Sequence, residues 1–210
     1  MKKVTIISLL FLIINYTFSQ TEGNRLSGLE EEVNFWMKKY NAVGLSVSVV
    51  ENNSVVYSKG FGFRDLENVK PVNGNTVFPI ASCTKAFTAT LLGVLEGENK
   101  ISLTNNPRTY IPKLKFNNSL MNEIITIEDL LSHKSGLGGV NGTLVLFPEE
   151  NKLKALEKLQ YIKPEGSVKE SSIYSNIAYT VAGAIVEEVT EQSWETNIQN
   201  KLFNPLKMQN

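Results

Sequence analysis

The alternation of apolar and polar residues predicts a helix followed by a β-hairpin in the first third of the chain. Between Leu29 and Tyr40, apolar side chains fall at the spacing of one helix face. Residues 45 to 49 then alternate between apolar and polar, and residues 55 to 63 form a second β-prone run after the turn sequence Glu-Asn-Asn-Ser. A lone two-stranded hairpin is marginal in water, so we expect helices or further strands to cover it.

The remainder of the chain is predicted to be mainly helical. Residues 84 to 95 are apolar on nearly every side, which predicts a buried helix. A Thr-x-x-Asp box, Thr126 to Asp129, caps another helix, and we expect that helix to end at the glycines 136, 138 and 139. Three more helices are predicted, one from Pro148 with leucines 153, 156 and 159 on one face, one over residues 178 to 189, and one over residues 194 to 202. With no repeat or linker between these elements, we expect one α+β domain.

The first 20 residues have the pattern of a secretory signal peptide. Two lysines precede an apolar run from Val4 to Ile14, and the small residue Ser19 follows. The run is about 11 residues long, well short of the roughly 20 that a membrane-spanning helix needs, so cleavage is favoured over a permanent anchor. We therefore predict a signal peptide over residues 1–19, a domain over residues 20–210, and export to the periplasm or the cell exterior.

Composition excludes several classes of function. Lysine plus arginine equals aspartate plus glutamate at 21 each, so the overall charge does not indicate nucleic acid as a partner. One cysteine and one histidine exclude a disulfide framework and a zinc site of the His/Cys type. We expect no metal and no organic cofactor. Any catalysis must then use hydroxyls, amines, carboxylates and backbone donors. The sequence does not indicate an oligomeric state.

An isolated lysine indicates where such chemistry would take place. Lys85 is the only charged side chain between residues 79 and 95, and it lies in the first turn of the predicted buried helix. Burial and the positive end of the helix dipole both disfavour a protonated amine there. Ser82 precedes Lys85 by three residues, which places the two side chains on one helix face about one turn apart. The pair is either a nucleophile with its base or a helix-capping serine beside a lysine that extends to solvent.

Two neighbouring candidates have simpler interpretations. Cys83 is rotated by about 100° from Ser82 on a helix, so we interpret it as a small buried hydrophobic residue. His133 would suit the base of a catalytic triad, but the sequence contains no G-x-S-x-G motif and no second histidine. We therefore expect His133 to be a hydrogen-bonded structural residue before a Ser-Gly turn.

A second polar cluster, Tyr174-Ser175-Asn176, precedes the buried helix predicted over residues 178 to 189. One interpretation is a turn tyrosine beside an asparagine that caps the helix. The other is a phenol that shares a proton with a neighbouring amine, in which case the two groups titrate jointly.

Four segments together resemble the superfamily of serine β-lactamases and penicillin-binding proteins. In particular, they are similar to its class C-like branch, which includes D-alanyl-D-alanine carboxypeptidases, D-aminopeptidases and related esterases. The segments cover nearly the whole predicted domain and occur in the family's order. They are TVFPIASCTKAFTA (76 to 89), NKISLTNNPRTYIP (99 to 112), ITIEDLLSHKSGL (125 to 137), and SSIYSNIAYTVAGAIVEEVTEQSW with NPLKM (171 to 194 and 204 to 208).

The resemblance implies a fold and a role for four residues. The fold would be of the β-lactamase/transpeptidase type, an antiparallel sheet flanked by helices with a mostly helical subdomain. Ser82 would be the acylated nucleophile, Lys85 its proton partner and Tyr174 the general base or acid. Asn176 would bind and orient the substrate. The activity implied is that of a serine hydrolase acting on β-lactams, D-alanine-type peptides or small esters.

One family feature is absent from these 210 residues. Members carry a third motif, Lys-Thr-Gly or His-x-Gly, on a strand that also supplies an oxyanion-hole donor, and no such motif occurs here. Losing one donor of that kind typically costs about 2.7 to 4 kcal/mol in the transition state. We therefore expect the sequence to be a fragment that lacks the C-terminal strands. The alternative is a non-catalytic protein, either a penicillin-binding or sensor module or an inactive truncated remnant.

Overall fold

The chain divides into two compact units, residues 1–78 and 79–210. The computed structural model describes residues 25–67, 69–138 and 152–208. The predicted signal peptide and the predicted helix start at Pro148 therefore lie outside the described residues. Among the described helices, none is both long enough and apolar enough to cross a bilayer.

The first unit contains the predicted helix and hairpin. Helix α1 spans Leu29–Tyr40, the bounds that the apolar spacing predicts, although none of its side chains is fully buried. Strands β1 (Gly44–Glu51) and β2 (Ser54–Asp65) pair antiparallel through a two-residue turn. Both turn residues, Asn52 and Asn53, adopt positive φ angles, as the tight turn of a twisted hairpin requires. The hairpin prediction is confirmed.

A short third strand, which the sequence did not indicate, extends this sheet. Strand β3 (Lys70–Pro71) pairs antiparallel with the end of β2, so the strand order is β1-β2-β3. At Gly62, strand β2 passes close to the backbone of Val43. The φ of Gly62 is 66°, and a Cβ atom there would lie 2.1 Å from the carbonyl oxygen of Val43, so a larger residue would force the backbone apart.

All the regular elements among the described residues of the second unit are helices or helical turns. Its helices are α2 (Thr84–Gly97), α3 (Ser119–Ile124), α4 (Ile127–Leu131), α5 (Lys152–Glu157), α6 (Asn176–Thr190) and α7 (Trp194–Ile198). Short 3-10 turns cover Ala81–Cys83, Pro107–Thr109 and Lys158–Tyr161, and a π turn covers Gln199–Phe203.

Helices α2 and α6 carry much of this unit's hydrophobic core. Helix α6 buries eight of its residues, which confirms the buried helix predicted near positions 178 to 189. Helix α2 differs from the prediction. It buries Leu91, Leu92 and Leu95 on one side, while Ala86 and Thr90 remain exposed, so the expectation of burial on nearly every side is wrong. Each fully buried leucine contributes about 2 kcal/mol of hydrophobic stabilisation.

The other helix predictions are right about position and less accurate about ends. Thr126 and Asp129 form the predicted reciprocal capping box at the start of α4. That helix ends at Leu131 rather than at the glycines 136, 138 and 139, because His133 has a φ of 62° and already leaves the helical conformation. Gly139 lies outside the described residues. The helix predicted over residues 194 to 202 is α-helical only to Ile198 and continues as the π turn.

Candidate active site

Ser82 and Lys85 lie on one continuous helical segment. Ser82 is the middle residue of the 3-10 turn Ala81–Cys83, and Lys85 is the second residue of α2. The Lys85 amine donates a hydrogen bond to the Ser82 hydroxyl, with 3.3 Å between Nζ and Oγ. The predicted juxtaposition of amine and hydroxyl is therefore present in the structure. Backbone N–H groups in a first helical turn lack intrahelical partners, which favours negative charge near Ser82.

The backbone immediately before Ser82 is strained. Ala81 has a φ of 45°, in the left-handed region that a residue with a Cβ atom enters at a cost of about 1 to 2 kcal/mol. Strain of this kind persists only where surrounding structure fixes the chain, and it concentrates at functional sites. The turn thereby presents the Ser82 side chain at the surface, where it is exposed.

The Tyr174-Ser175-Asn176 cluster is brought to the same place from a distant part of the chain. The Tyr174 and Ser82 hydroxyl oxygens share a hydrogen bond of 2.5 Å. The Lys85 amine also donates to Asn176 Oδ1 at 2.6 Å. Ser175, rather than Asn176, caps helix α6 by accepting a bond from the Ala178 N–H. The interpretation of Asn176 as a helix cap is therefore wrong, and its amide is available to Lys85.

The amine of Lys85 alters the proton affinity of the neighbouring phenol. Hydrogen bonds from Lys85 and then from Ser82 hold the pKa of Tyr174 below its ordinary value. Lys85 Nζ also lies 4.8 Å from the centre of the Tyr174 ring. Amine, hydroxyl and phenol thus form one connected path along which a proton can pass between Ser82 and the other two groups.

The cluster opens onto a cleft of about 450 Å³ in the helical unit. Ser82, Lys85 and Asn176 line this cleft together with residues that sequence reasoning did not single out, among them Thr88, Gly183 and Trp194. Lys85 is half-buried rather than fully withdrawn from solvent. Cys83 is exposed, so its interpretation as a buried hydrophobic residue is wrong, because the 3-10 turn Ala81–Cys83 buries none of its residues.

His133 is hydrogen-bonded, as expected, and it lies directly behind Tyr174. The Ser175 N–H donates to His133 Nδ1 at 3.2 Å, and the two ring centres of His133 and Tyr174 are 4.7 Å apart. Burial and then the nearby Lys85 lower the pKa of His133, so the neutral imidazole is favoured.

Tyr179 is a further member of the site that sequence reasoning missed. Its ring centre lies 5.5 Å from Lys85 Nζ, and its hydroxyl donates to the Leu131 carbonyl at 2.9 Å. Burial and the adjacent Tyr174 raise the pKa of Tyr179. Its position three residues after Asn176, on the same helix face, was the available signal.

These contacts form a candidate site centred on the Ser82 hydroxyl. The comparison with family models assigns the chain to a class of proteins that fits such a site. Residues 29–210 match the beta-lactamase family model, so the chain belongs to the beta-lactamase family. In the described residues, no group of three or more histidine, cysteine, aspartate or glutamate side chains forms a metal site.

Known proteins similar to this chain include two from Staphylococcus aureus. Protein flp of strain N315 is 30% identical over 174 residues, which cover 82% of this chain and 35% of protein flp. A teichoic acid D-alanine hydrolase is 33% identical over 164 residues, which cover 78% of this chain and 39% of that protein.

A solved class C beta-lactamase shares the fold. Its structure aligns with a TM-score of 0.76 and 26% identity over 87% of this chain and 49% of that one. The β-lactamase/transpeptidase-like fold that the resemblance implied is therefore confirmed. The chain spans between about a third and a half of the length of these proteins.

Proposed function

We propose that the complete protein is an exported serine hydrolase that forms an acyl-enzyme on Ser82. The observation that carries the proposal is the set of contacts around the Ser82 hydroxyl, with Tyr174 Oη at 2.5 Å and Lys85 Nζ at 3.3 Å. A helix-capping serine beside a solvent-directed lysine would make neither contact. Asn176 accepts a second hydrogen bond from the Lys85 amine, which restrains the position of that amine.

The chemistry follows from these contacts. The Tyr174–Lys85 pair takes the Ser82 proton as Oγ attacks the carbonyl carbon of the substrate, and negative charge develops on the carbonyl oxygen. The bond to the leaving amine or alcohol then breaks, and that group takes the proton from Tyr174. A water molecule attacks the resulting ester by the same path in reverse, which releases the acid and restores the Ser82 hydroxyl.

The similar proteins favour substrates that present a D-alanyl group or a β-lactam ring. One of them carries the name teichoic acid D-alanine hydrolase, and another is a class C beta-lactamase. Both names describe cleavage at a carbonyl carbon, which is the step that Ser82, Lys85 and Tyr174 support. We therefore propose β-lactams, D-alanine-type peptides and small D-alanyl esters as the substrate classes to be tested.

Covalent labelling tests the acyl-enzyme. The complete protein, expressed from its full gene, is incubated with a fluorescent penicillin and analysed by gel and mass spectrometry. We expect label on the peptide containing Ser82, none in Ser82→Ala, and full labelling in Cys83→Ala. The cysteine variant is the matched control, because Cys83 is an exposed nucleophile in the adjacent position. Equal labelling of the Ser82→Ala variant would overturn the proposal.

Turnover distinguishes a hydrolase from a non-catalytic penicillin-binding module. The labelled protein is followed over time, while D-alanine release from a D-alanyl ester and from a D-alanyl-D-alanine peptide is measured in parallel. Loss of label with release of D-alanine or of opened β-lactam supports the hydrolase. Permanent label without any released product would assign the module instead.

A further inference from the structure

We infer that His133 is a positioning residue that fixes Tyr174 against Ser82 by clamping the backbone on both sides of the tyrosine. The inference rests on the proposed acylation of Ser82 for its functional consequence, and on the structure alone for the clamp itself.

The clamp consists of two hydrogen bonds from one histidine. The Ile173 N–H donates to the His133 carbonyl oxygen at 2.8 Å, and the Ser175 N–H donates to His133 Nδ1 at 3.2 Å. These donors belong to the residues immediately before and after Tyr174. The backbone on both sides of Tyr174 is therefore held by His133, which lies 42 positions before Ser175 in the sequence.

The imidazole ring also supports the phenol directly. The ring centres of His133 and Tyr174 are 4.7 Å apart, and those of His133 and Tyr179 are 5.5 Å apart. Tyr179 in turn is fixed through its hydroxyl to the Leu131 carbonyl. The Tyr174 hydroxyl lies 2.5 Å from the Ser82 oxygen. In the described structure, its hydrogen-bond partners are Lys85 and Ser82. The position of the phenol therefore depends on support of its backbone and its ring.

The clamp depends on an uncharged ring. Because Nδ1 accepts the Ser175 N–H, the neutral imidazole carries its proton on Nε2, and protonation at Nδ1 would remove the acceptor. The titratable groups that the structure places against the ring are Lys85 from α2, Tyr174 from the preceding loop and Tyr179 from α6. Burial and then the nearby Lys85 disfavour a positive charge on His133, so its pKa is lowered and the clamp is lost at a lower pH than an ordinary histidine would allow.

The backbone of His133 allows an informative pair of substitutions. Its φ of 62° lies in the left-handed region, which asparagine and glycine adopt more readily than other residues. His133→Asn keeps an acceptor at the position of Nδ1 and cannot titrate. His133→Gly keeps the backbone conformation and removes the acceptor and the ring. Because both variants lack the ring, the difference between them measures the hydrogen bond accepted from the Ser175 N–H rather than backbone strain.

The first measurement does not depend on catalysis. Tyrosine-labelled protein is titrated by NMR, with Tyr174→Phe identifying the Tyr174 signal, and exchange of the Ser175 amide is followed in the same samples. In His133→Gly we expect the Tyr174 titration midpoint to rise towards its ordinary value and the Ser175 amide to exchange faster. In His133→Asn, which keeps the acceptor but not the ring, we expect the Ser175 amide to exchange near the wild-type rate and the Tyr174 midpoint to lie between those of the wild type and His133→Gly. An unchanged Tyr174 midpoint in folded His133→Gly would overturn the inference.

The second measurement is the rate of acylation by fluorescent penicillin between pH 5 and 8. We expect a loss of about 10- to 100-fold in His133→Gly, the scale typical of a displaced catalytic group, and recovery of at least about tenfold in His133→Asn. The wild-type acylation rate should fall towards pH 5 as His133 is protonated. This fall should be smaller in His133→Asn, because asparagine does not titrate. If the wild-type protein is not labelled at all, the proposed function fails, whereas the titration and exchange results still decide the clamp.

Discussion

Two of the lysine-centred polar networks in the described helical unit have opposite character. Lys169 donates to Asp129 Oδ2 at 2.6 Å, and the same carboxylate accepts from the backbone and side chain of Thr126. Lys85 instead contacts a hydroxyl and an amide, with a phenol ring beside it. Among the described residues, no carboxylate lies within ion-pair distance of Lys85.

The comparison shows how the partner of a lysine decides what the lysine can do. In the Lys169 network, the charge is met by a carboxylate whose side chain is only 8% exposed, and the pair connects the start of α4 to a distant loop. In the Lys85 network, neutral partners leave the proton free to move among amine, phenol and hydroxyl. The first arrangement stabilises the fold, and the second suits proton transfer.

Exchanging each lysine for methionine separates the two roles and gives the largest expected effect. Lys85→Met should lower acylation of Ser82 by at least about 100-fold, because a proton-transfer group is lost, and change the free energy of unfolding by about 1 kcal/mol or less. Lys169→Met should lower the unfolding free energy by about 1 to 3 kcal/mol, because Asp129 loses its cation, and change acylation by less than about tenfold. Labelling rates and urea unfolding of the complete protein measure both. Similar losses of acylation in both variants would contradict the distinction.

Giving Lys85 a carboxylate converts its network into the other kind. Asn176→Asp places an anion where Oδ1 now lies, 2.6 Å from the amine. A charge at that distance holds the proton on the amine and disfavours a phenolate on Tyr174, so acylation should fall by about 10- to 100-fold. Stability should not fall, because an acidic residue in the first turn of α6 complements the helix dipole.

The matched control for this substitution is Thr180→Asp. Thr180 lines the same cleft one helical turn after Asn176, so it introduces an equal charge farther from the amine. We expect a smaller loss of acylation there. Wild-type acylation in Asn176→Asp would show that the neutrality of the Lys85 partner is unimportant.

Removing the charge of Asp129 tests the structural network through its pH dependence. Burial acts to raise the pKa of Asp129, but hydrogen bonds from Lys169 and Thr126 outweigh it and the pKa is lowered. A carboxylate with a lowered folded-state pKa contributes stability above its unfolded value of about 3.9, and loses it as pH falls through the folded value. Asp129→Asn should therefore lose about 1 to 2 kcal/mol at pH 7, and the difference from wild type should shrink below about pH 4. A difference that persists unchanged in acid would assign the effect to packing.

Local sequence rules were sufficient for some parts of both networks. The Ser82–Lys85 pair is separated by three residues and the Thr126–Asp129 box by three, so helix geometry alone places each pair together. The α1 bounds and the β1–β2 hairpin follow from periodicity and a two-asparagine turn for the same reason.

The rest depends on contacts between distant parts of the chain. Tyr174 reaches Ser82 across 92 positions, so periodicity could not place it there, and only the family resemblance indicated it. The pairing of Lys169 with Asp129 could not be predicted, because a lysine in a polar loop has no local feature that indicates an acid 40 positions away. Cys83 was misassigned because the hydrophobicity of residues 84 to 95 does not show which helix face other elements cover.

Relieving backbone strain next to Ser82 gives the smallest expected effect. Ala81 and Lys169 both have left-handed backbone, but the Lys169 side chain is held by Asp129, whereas the alanine side chain can form no hydrogen bond. Ala81→Gly removes a cost of about 1 to 2 kcal/mol in the folded state and adds chain entropy of about 0.5 to 1 kcal/mol to the unfolded state. The net result should be a gain in stability of up to about 1.5 kcal/mol.

The control for this prediction is Ala86→Gly, five positions later in the exposed part of α2. There the helical conformation suits alanine, so glycine should destabilise the protein by about 1 kcal/mol. Opposite signs for the two substitutions in urea unfolding would show that strain is stored at the residue preceding Ser82. Equal destabilisation would mean that the turn is maintained without cost. The Lys85 network would then hold its backbone without a strain cost, and it would differ from the Lys169 network only in its proton-transfer partners.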